Sequence, residues 1–550
     1  MEQGRLQLFT CMRGYSRKQF GKDLAAGLLV AVIAFPLSVA LAIASGLSPE
    51  KGLYTAIIGG FFVSAFGGSK VNIGGATAAT VMTVFTIVEK FGLAGLAAAT
   101  VMAGIFLIIM GLLRLGALLK YIPRTMTSGF TAAIAVGIFS GQLKGFLGLE
   151  MGTVPVKVLE KFEACAKVLD TIHIPTLSIG LLAMVILILL PRVTTRIPNS
   201  LAAILITTPV VFFGDLDVAT IHSVYGELPS HVPQFQIYRV SVNTLMDLLP
   251  SALTLAILIA IVSLLACVVT DGMTGEHHVS NQELIAEGIA NIFCGFFGAV
   301  PAAGAVARAS TSVKNGGRTP VAGLVHSMAV LFILLFLMPL AGFIPMPTLS
   351  AILIMVAYNM SNWREFVFMA KHAPKSDFIV LMGTFLFGIL VDLLFAVEVG
   401  ILLSAILFMR RMSEVSCIRS WTYPTQEELI AGPEGVGLRI VPKYTLVYEL
   451  EGPVFFATAD AFESIPVRED TRVVIFRMKN AVSMDITALN GMEQFLEFCQ
   501  SHKVTLILSH VMAQPYSVMK KAGFIEKVGK ENYCTNIDEA LKRAKELTRQ

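Results

Sequence analysis

The sequence predicts a polytopic α-helical membrane protein with about 14 transmembrane segments in a 7+7 inverted repeat, followed by a small α/β domain. Three observations predict it: an uneven distribution of charge, a pair of defective apolar segments at matching offsets, and a change of periodicity near residue 438. Of 550 residues, 55% are hydrophobic and 15% charged, and the mean hydropathy is +0.73. Globular proteins carry about 25% charge. Only 46 of the first 411 residues are charged, against 34 of the last 139. Disorder, a disulfide scaffold and nucleic-acid binding are excluded by this balance, and a net charge of +4 is too small to argue for an acidic partner. The seven cysteines form no C-x-x-C pair, and the N-terminal ten residues lack the apolar run of a signal peptide.

A helix needs ~20 apolar residues to cross the hydrocarbon core. Spans are expected near 24–45, 52–68, 72–89, 92–113, 123–143, 174–191 and 198–213. A second set follows near 245–270, 282–298, 300–313, 320–340, 344–360, 376–391 and 393–409. The expected layout is an arm over 1–22, a transmembrane domain over 23–411 with repeats 23–213 and 245–411, a linker over 412–437 and a tail domain over 438–550. Eighteen Lys and Arg fall on the face holding the N-terminal arm. Seven fall on the other: Lys51, Lys90, Lys144, Lys157, Lys161, Lys167 and Arg239. The positive-inside rule then places both termini in the cytoplasm, as an even number of spans requires.

Span three opens V-N-I-G-G-A-T-A-A-T from Val71, and span ten opens P-A-A-G-A-V-A-R-A-S from Pro301. Gly75 and Gly304 are 229 positions apart, and Asp23 and Asp247, at the starts of spans one and eight, are 224 apart. Corresponding interrupted segments in two sets of seven indicate an inverted repeat; small residues that merely permit tight packing are the other reading. Broken helices expose N–H groups and a partial positive charge near the midplane, a ready anion site, to which Thr77 and Thr80 can add hydroxyls. Arg308 is the one cation inside an expected span. Either it contacts the substrate anion, or it pairs with a carboxylate such as Asp271 or Glu287. His277 and His278 in D-G-M-T-G-E-H-H read as loop structure, and Asp392 and Glu398 as interfacial groups. No catalytic triad, phosphate loop or metal-ligand spacing stands out in the membrane part, so no enzyme activity, metal or cofactor is expected.

The run D-L-A-A-G-L-L-V-A-V-I-A-F-P-L-S-V-A-L-A-I-A-S-G-L-S-P-E-K-G-L-Y-T-A-I-I-G-G from Asp23 resembles the first two spans of the SulP anion permeases, and D-G-M-T-G-E-H-H, A-V-A-R-A-S-T and G-G-R-T-P-V-A-G-L-V-H resemble the same family. These are relatives of the mammalian anion exchangers that include pendrin and prestin. The resemblance implies a core domain moving against a gate domain, a homodimer, and an anion held between the N-termini of spans three and ten. Mapped here, the site is Ala76, Thr77 and Ala78 opposite Ala305, Val306, Ala307 and Arg308, with Phe35 and Leu37 as further wall residues. Many relatives carry a carboxylate just before Ser-Leu-Leu in span eight; Val262 stands there in this chain. The resemblance therefore implies weak or absent proton or sodium coupling through that position.

From about 438 the pattern alternates between short β-rich runs and amphipathic helical ones. Strands are expected at L-R-I-V-P-K-Y-T-L-V-Y-E-L, V-F-F-A, R-V-V-I-F-R-M and V-T-L-I-L-S-H, and helices near 458–465, 486–501 and 514–522. The tail is similar to STAS domains, with the signature loop S-M-D-I-T-A around Asp485 and Thr487. In the signalling members a phosphorylatable Ser follows the Asp, whereas Ile486 follows Asp485 here, leaving Thr487 as the alternative acceptor. Structural support and dimer contact, or binding of a cytoplasmic partner or nucleotide, remain open for this loop. The expected activity is secondary transport of small anions of the sulfate class, with bicarbonate, chloride and dicarboxylates compatible. An uncoupled channel or uniporter, a nucleobase carrier and a STAS-linked membrane sensor are the alternatives.

Overall fold

A computed structural model describes residues 7–549, apart from 13, 118–122, 153, 154, 156, 194–197, 392, 416, 421–440, 457–460 and 463. Asp392, most of the expected linker and half of the expected 458–465 helix lie outside the described residues. The chain divides into two compact units, Met1–Ser404 and Ala405–Gln550.

The first unit is helical, because a backbone inside hydrocarbon must satisfy its own polar groups. Its principal elements are α1 (Arg17–Ala44), α2 (Pro49–Phe66), β1 (Gly74–Gly75), α3 (Val81–Leu112), α4 (Arg124–Leu147), α5 (Val158–Lys167), α6 (Ile174–Val193) and α7 (Asn199–Phe213). The second half holds α8 (Val242–Thr274), α9 (Ser280–Phe296), β2 (Ala303–Gly304), α10 (Val306–Lys314), α11 (Val321–Phe336), α12 (Met346–Ser361), α13 (Lys375–Leu390) and α14 (Leu393–Val415), whose residues from Ala405 on fall in the second unit. Expected spans three and four form the one element α3, folded back at Gly92, whose φ of 65° suits a residue without Cβ. With α3 counted twice and the loop helix α5 left out, fourteen spans result. Among the described residues, five helices are long and apolar enough to cross a membrane by length and composition alone.

Small residues bring the helices close. A Cβ on Gly104 of α3 would stand 2.6 Å from the Gly288 carbonyl of α9, and the reverse substitution meets the Gly104 carbonyl at the same distance. Around this contact Val84, Ile87, Leu96, Leu107, Leu255 and Ile259 form one buried cluster joining α3 to α8. At the other end, buried Asp23 of α1 accepts from the Tyr15 hydroxyl at 2.8 Å, the Arg318 N–H at 2.8 Å and the Thr319 hydroxyl at 2.7 Å. The opening of the first repeat is thereby tied to the turn after α10.

In the second unit a five-stranded sheet has the order β3 (Cys417–Ser420), β4 (Thr445–Glu451), β5 (Val473–Asn480), β6 (Thr505–Ser509) and β7 (Tyr533–Cys534). The β3–β4 pair is antiparallel and the others parallel. Three helices follow strands: α15 (Ile486–Ser501), α16 (Ala513–Lys521) and α17 (Ile537–Arg549). Side chains alternate across the sheet as the two-residue period requires. Val474, Phe476 and Met478 pack with Met492, Phe495 and Leu496 of α15. Val473 and Ile475 pack with Ile537, Ala540 and Leu541 of α17. Strand β3 lies within the expected linker, β7 and α17 were not anticipated, and V-F-F-A contributes a single bridge, Val454 to Met484, in place of a strand.

Candidate anion site at the crossing of two broken helices

Strands β1 and β2 pair antiparallel, Gly74 with Gly304 and Gly75 with Ala303. Each leads into a helix: Thr77 precedes the short turn Ala78–Thr80 that opens α3, and Ala305 caps α10. The antiparallel pairing sends the two helices away from each other, so their N-terminal ends meet at the crossing. Neither end has a side-chain cap, so the first N–H groups of both helices remain available there.

Three residues from elsewhere hold the crossing. Asn291 of α9 grips Ala302 from both sides, donating Nδ2 to its carbonyl at 2.8 Å and accepting its N–H at 2.9 Å. Ser263 of α8 accepts the Gly304 N–H at 2.8 Å. Glu283 accepts from the N–H groups of Gly68 and Ser69 at 2.7 and 2.9 Å and from Asn72 Nδ2 at 2.6 Å. The sequence reading gave none of the three a role in the site. Their signal was present, since a polar residue inside an apolar run needs a partner.

Arg308, on the first turn of α10, is 2% exposed. Its Nη2 donates to the Ala76 carbonyl at 3.0 Å and the Ser38 hydroxyl at 3.2 Å, while Nε and Nη1 have no partner. Among the described residues no carboxylate pairs with it: Asp271 is engaged by His278 at 2.7 Å, and both Glu287 oxygens are buried without a hydrogen bond. The Thr77 hydroxyl is also buried without a partner. Ala76, Thr77, Ala305, Val306 and Arg308 are thus brought to one place, with Ala78 partly buried beside them and Ala307 exposed. From α1 it is Ser38 that reaches the guanidinium. Phe35 lines an apolar cavity of about 580 Å³ with Leu201, Ile204 and Phe343, and Leu37 is partly buried. Val262 is partly buried next to Ser263. Two helix N-termini, two guanidinium nitrogens without a partner and a free hydroxyl are donors suited to an anion with several acceptor atoms.

In the second unit Asp485 caps α15, accepting the Ala488 N–H at 2.8 Å and the Phe456 N–H at 2.9 Å. Gln514 brackets Met484 with a further pair of hydrogen bonds. The Asp485 carboxylate is therefore occupied by backbone, and Ile486 and Thr487 beside it are exposed. His278 forms loop structure with Asp271 and with the Ser280 hydroxyl at 3.0 Å.

The profile of the sulfate permease family matches residues 20–384, and that of the STAS domain residues 438–540. The Bacillus subtilis (strain 168) protein named "Putative sulfate transporter YvdB" is 38% identical over 533 residues, covering 96% of this chain and 98% of its own. Bicarbonate transporter BicA of Picosynechococcus is 28% identical over 536 residues, covering 95% and 94%. Among solved structures, murine Slc26a9, an anion transporter in the inward-facing state, superimposes with a TM-score of 0.87 at 19% identity over 99% of this chain and 94% of that one. The transmembrane domain of a cyanobacterial BicA does so at 0.63 and 30% identity, over 70% and 98%. From the crossing helices to the tail sheet, this chain belongs to the sulfate permease family, with a STAS domain at its C-terminal end.

Proposed function

We propose that the chain is a secondary transporter of small anions, of the sulfate class with bicarbonate, chloride and dicarboxylates in scope, working by alternating access. The observation that carries this is Arg308, a buried guanidinium with two free N–H groups between two uncapped helix ends. An unpaired buried charge costs several kcal/mol, which an arriving anion offsets. Ala76, Thr77 and Ala78 with Ala305, Val306 and Ala307 supply the backbone around it, and Phe35 and Leu37 belong to the α1 wall. With Val262 at the position where the family resemblance implies a carboxylate in many relatives, the anion crosses by exchange or uniport, without proton or sodium symport through span eight. The transport domain spans 23–411 and the STAS domain 438–550, joined by the 412–437 segment, part of which is strand β3. The working unit is a homodimer in the plasma membrane, both termini cytoplasmic by the charge bias.

Uptake of sulfate, bicarbonate, chloride, fumarate and succinate by proteoliposomes, with and without imposed voltage and pH gradients, tests this reading. Wild-type uptake of at least one anion and its loss in Arg308→Ala are expected. Uptake surviving in Arg308→Ala would remove the site assignment, and no uptake of any anion would favour the membrane-sensor alternative.

A further inference from the structure

Lys161 takes no part in the crossing site, yet it is almost as buried as Arg308, at 3% exposed. It stands on α5, the amphipathic helix in the loop between the fifth and sixth spans. On the same helix Lys167 pairs with Glu163, and Lys157 at its N-cap pairs with Glu160, on the solvent side. Lys161 points inward, where among the described residues its hydrogen-bond partner is the Met82 sulfur at 3.7 Å, with the Phe85 ring centroid 5.4 Å away. A thioether and a ring face are weak, easily exchanged contacts for an ammonium.

The side chain lines a cavity of about 650 Å³. One wall is glycine: Gly137, Gly141 and Gly145 repeat at one face of α4, and a Cβ on Gly141 would meet only the Lys161 Nζ, at 4.0 Å. The facing wall is Ala40 and Ala44 of α1 with Val81, Met82 and Phe85 of α3. Val81 lies one helical turn beyond Thr77, so the cavity runs along the helix whose N-terminus forms the anion site. By the charge bias it lies towards the face opposite the N-terminal arm.

Other titratable groups are at hand. Lys144, Glu150 and His173 line the cavity from α4 and the loop before α6, and Asp217 and Tyr225 from the segment after α7. Glu89 of α3 and Cys165 of α5 act on Lys161 electrostatically, yet burial outweighs them and lowers its pKa to about 8. At neutral pH the ammonium is charged, and among the described residues no buried carboxylate pairs with it.

We propose that Lys161 is a second anion-binding residue, holding a small inorganic or carboxylate anion in this cavity on its way to or from Arg308. The inference rests on the transport reading above. A buried cation without a carboxylate attracts mobile anions, and a single flexible ammonium releases them more readily than a guanidinium fork. If Lys161 merely packs its stem on Phe85 and reaches water with its head, its removal leaves anion kinetics unchanged.

Sulfate uptake by proteoliposomes containing the full chain, measured at equal internal and external pH from 6.5 to 9.5, is the test. Sulfate does not titrate in this range, so a pH effect belongs to the protein. For the wild type the sulfate KM is expected to rise about tenfold as pH climbs through 8. Lys161→Met is expected to have the high KM at every pH, with kcat within twofold of wild type. Lys161→Arg keeps a charge that does not titrate, so its KM should stay low to pH 9.5. The Arg variant also answers the question should the Met variant misfold. A wild-type KM and pH profile in either variant overturns the role of Lys161 while leaving anion transport standing. Failure of the wild type to take up sulfate, chloride or bicarbonate overturns the transport reading itself, and the inference with it.

Discussion

The guanidinium of Arg308 occupies the space that a side chain on Gly75 would need: a Cβ built there stands 2.0 Å from Nη1 and 2.7 Å from Cζ. The second half of the chain thus delivers its cation onto the bare backbone of the first. Gly75→Ala is expected to push the guanidinium off the Ala76 carbonyl and reduce anion uptake at least tenfold. Expression and the size-exclusion elution volume should remain those of wild type. Proteoliposome uptake alongside size-exclusion chromatography checks this, and unaltered uptake would mean that the position of Arg308 is unimportant.

Asn291 satisfies both polar groups of Ala302. Leucine in its place fills a similar volume and leaves a buried N–H and a buried carbonyl unpaired, each costing ~1–3 kcal/mol. Asn291→Leu is therefore expected to lower the detergent-solubilised melting temperature and to abolish uptake together. A variant with full stability and no uptake would instead point to a direct contact with the anion.

Val262 leaves no carboxylate at that position beside Ser263. Between pH 6 and 7, below the range in which Lys161 titrates, a pH gradient should leave wild-type uptake unchanged. Val262→Glu is expected to make uptake respond to the gradient, faster when protons run inward with the anion. Identical responses in the two proteins would count against the link between this position and coupling.

Burial of the Lys161 ammonium has a stability cost with a definite sign. Its pKa falls from 10.5 to about 8 on folding, so between these values the unfolded chain binds the extra proton and stability rises with pH. Below about pH 8 the folded protein bears the full penalty, up to about 3 kcal/mol at 1.36 kcal/mol per unit. Lys161→Met should accordingly melt higher than wild type at pH 7, with the difference shrinking as pH rises from 8 towards 10.5. Thermal unfolding in detergent at pH 7 and 10 measures it. A lower melting temperature for the Met variant at pH 7 would show that the ammonium has a stabilising partner.

What the sequence could reveal followed from the range of each interaction. Long apolar runs declare helices by themselves, and the Gly-Ala-Thr and Pro-Ala-Gly openings from Val71 and Pro301 broke that pattern visibly. Arg308 was legible because a cation in an apolar segment is rare. Its contact with Ser38 was not, because 270 residues separate them and nothing local marks the pairing. The same holds for Glu283 reaching back to Asn72. In the tail, α17 carried a readable helical spacing at Ile537, Ala540, Leu541 and Ala544 that went unread. Strand β3, four residues long, is defined chiefly by its pairing with β4, which no local pattern encodes.

The two-residue pairing of Gly74–Gly75 with Ala303–Gly304 has a thermodynamic corollary. On the proposed alternating-access reading, the two helix ends, locked together by backbone hydrogen bonds, would travel as one piece, and the well they form would keep the same depth whichever side of the bilayer it faces. Such a carrier has no built-in direction. Net flow then obeys the gradient, and any asymmetry between import and export must be written into the approaches, where a titrating lysine on one side has no counterpart in the well itself.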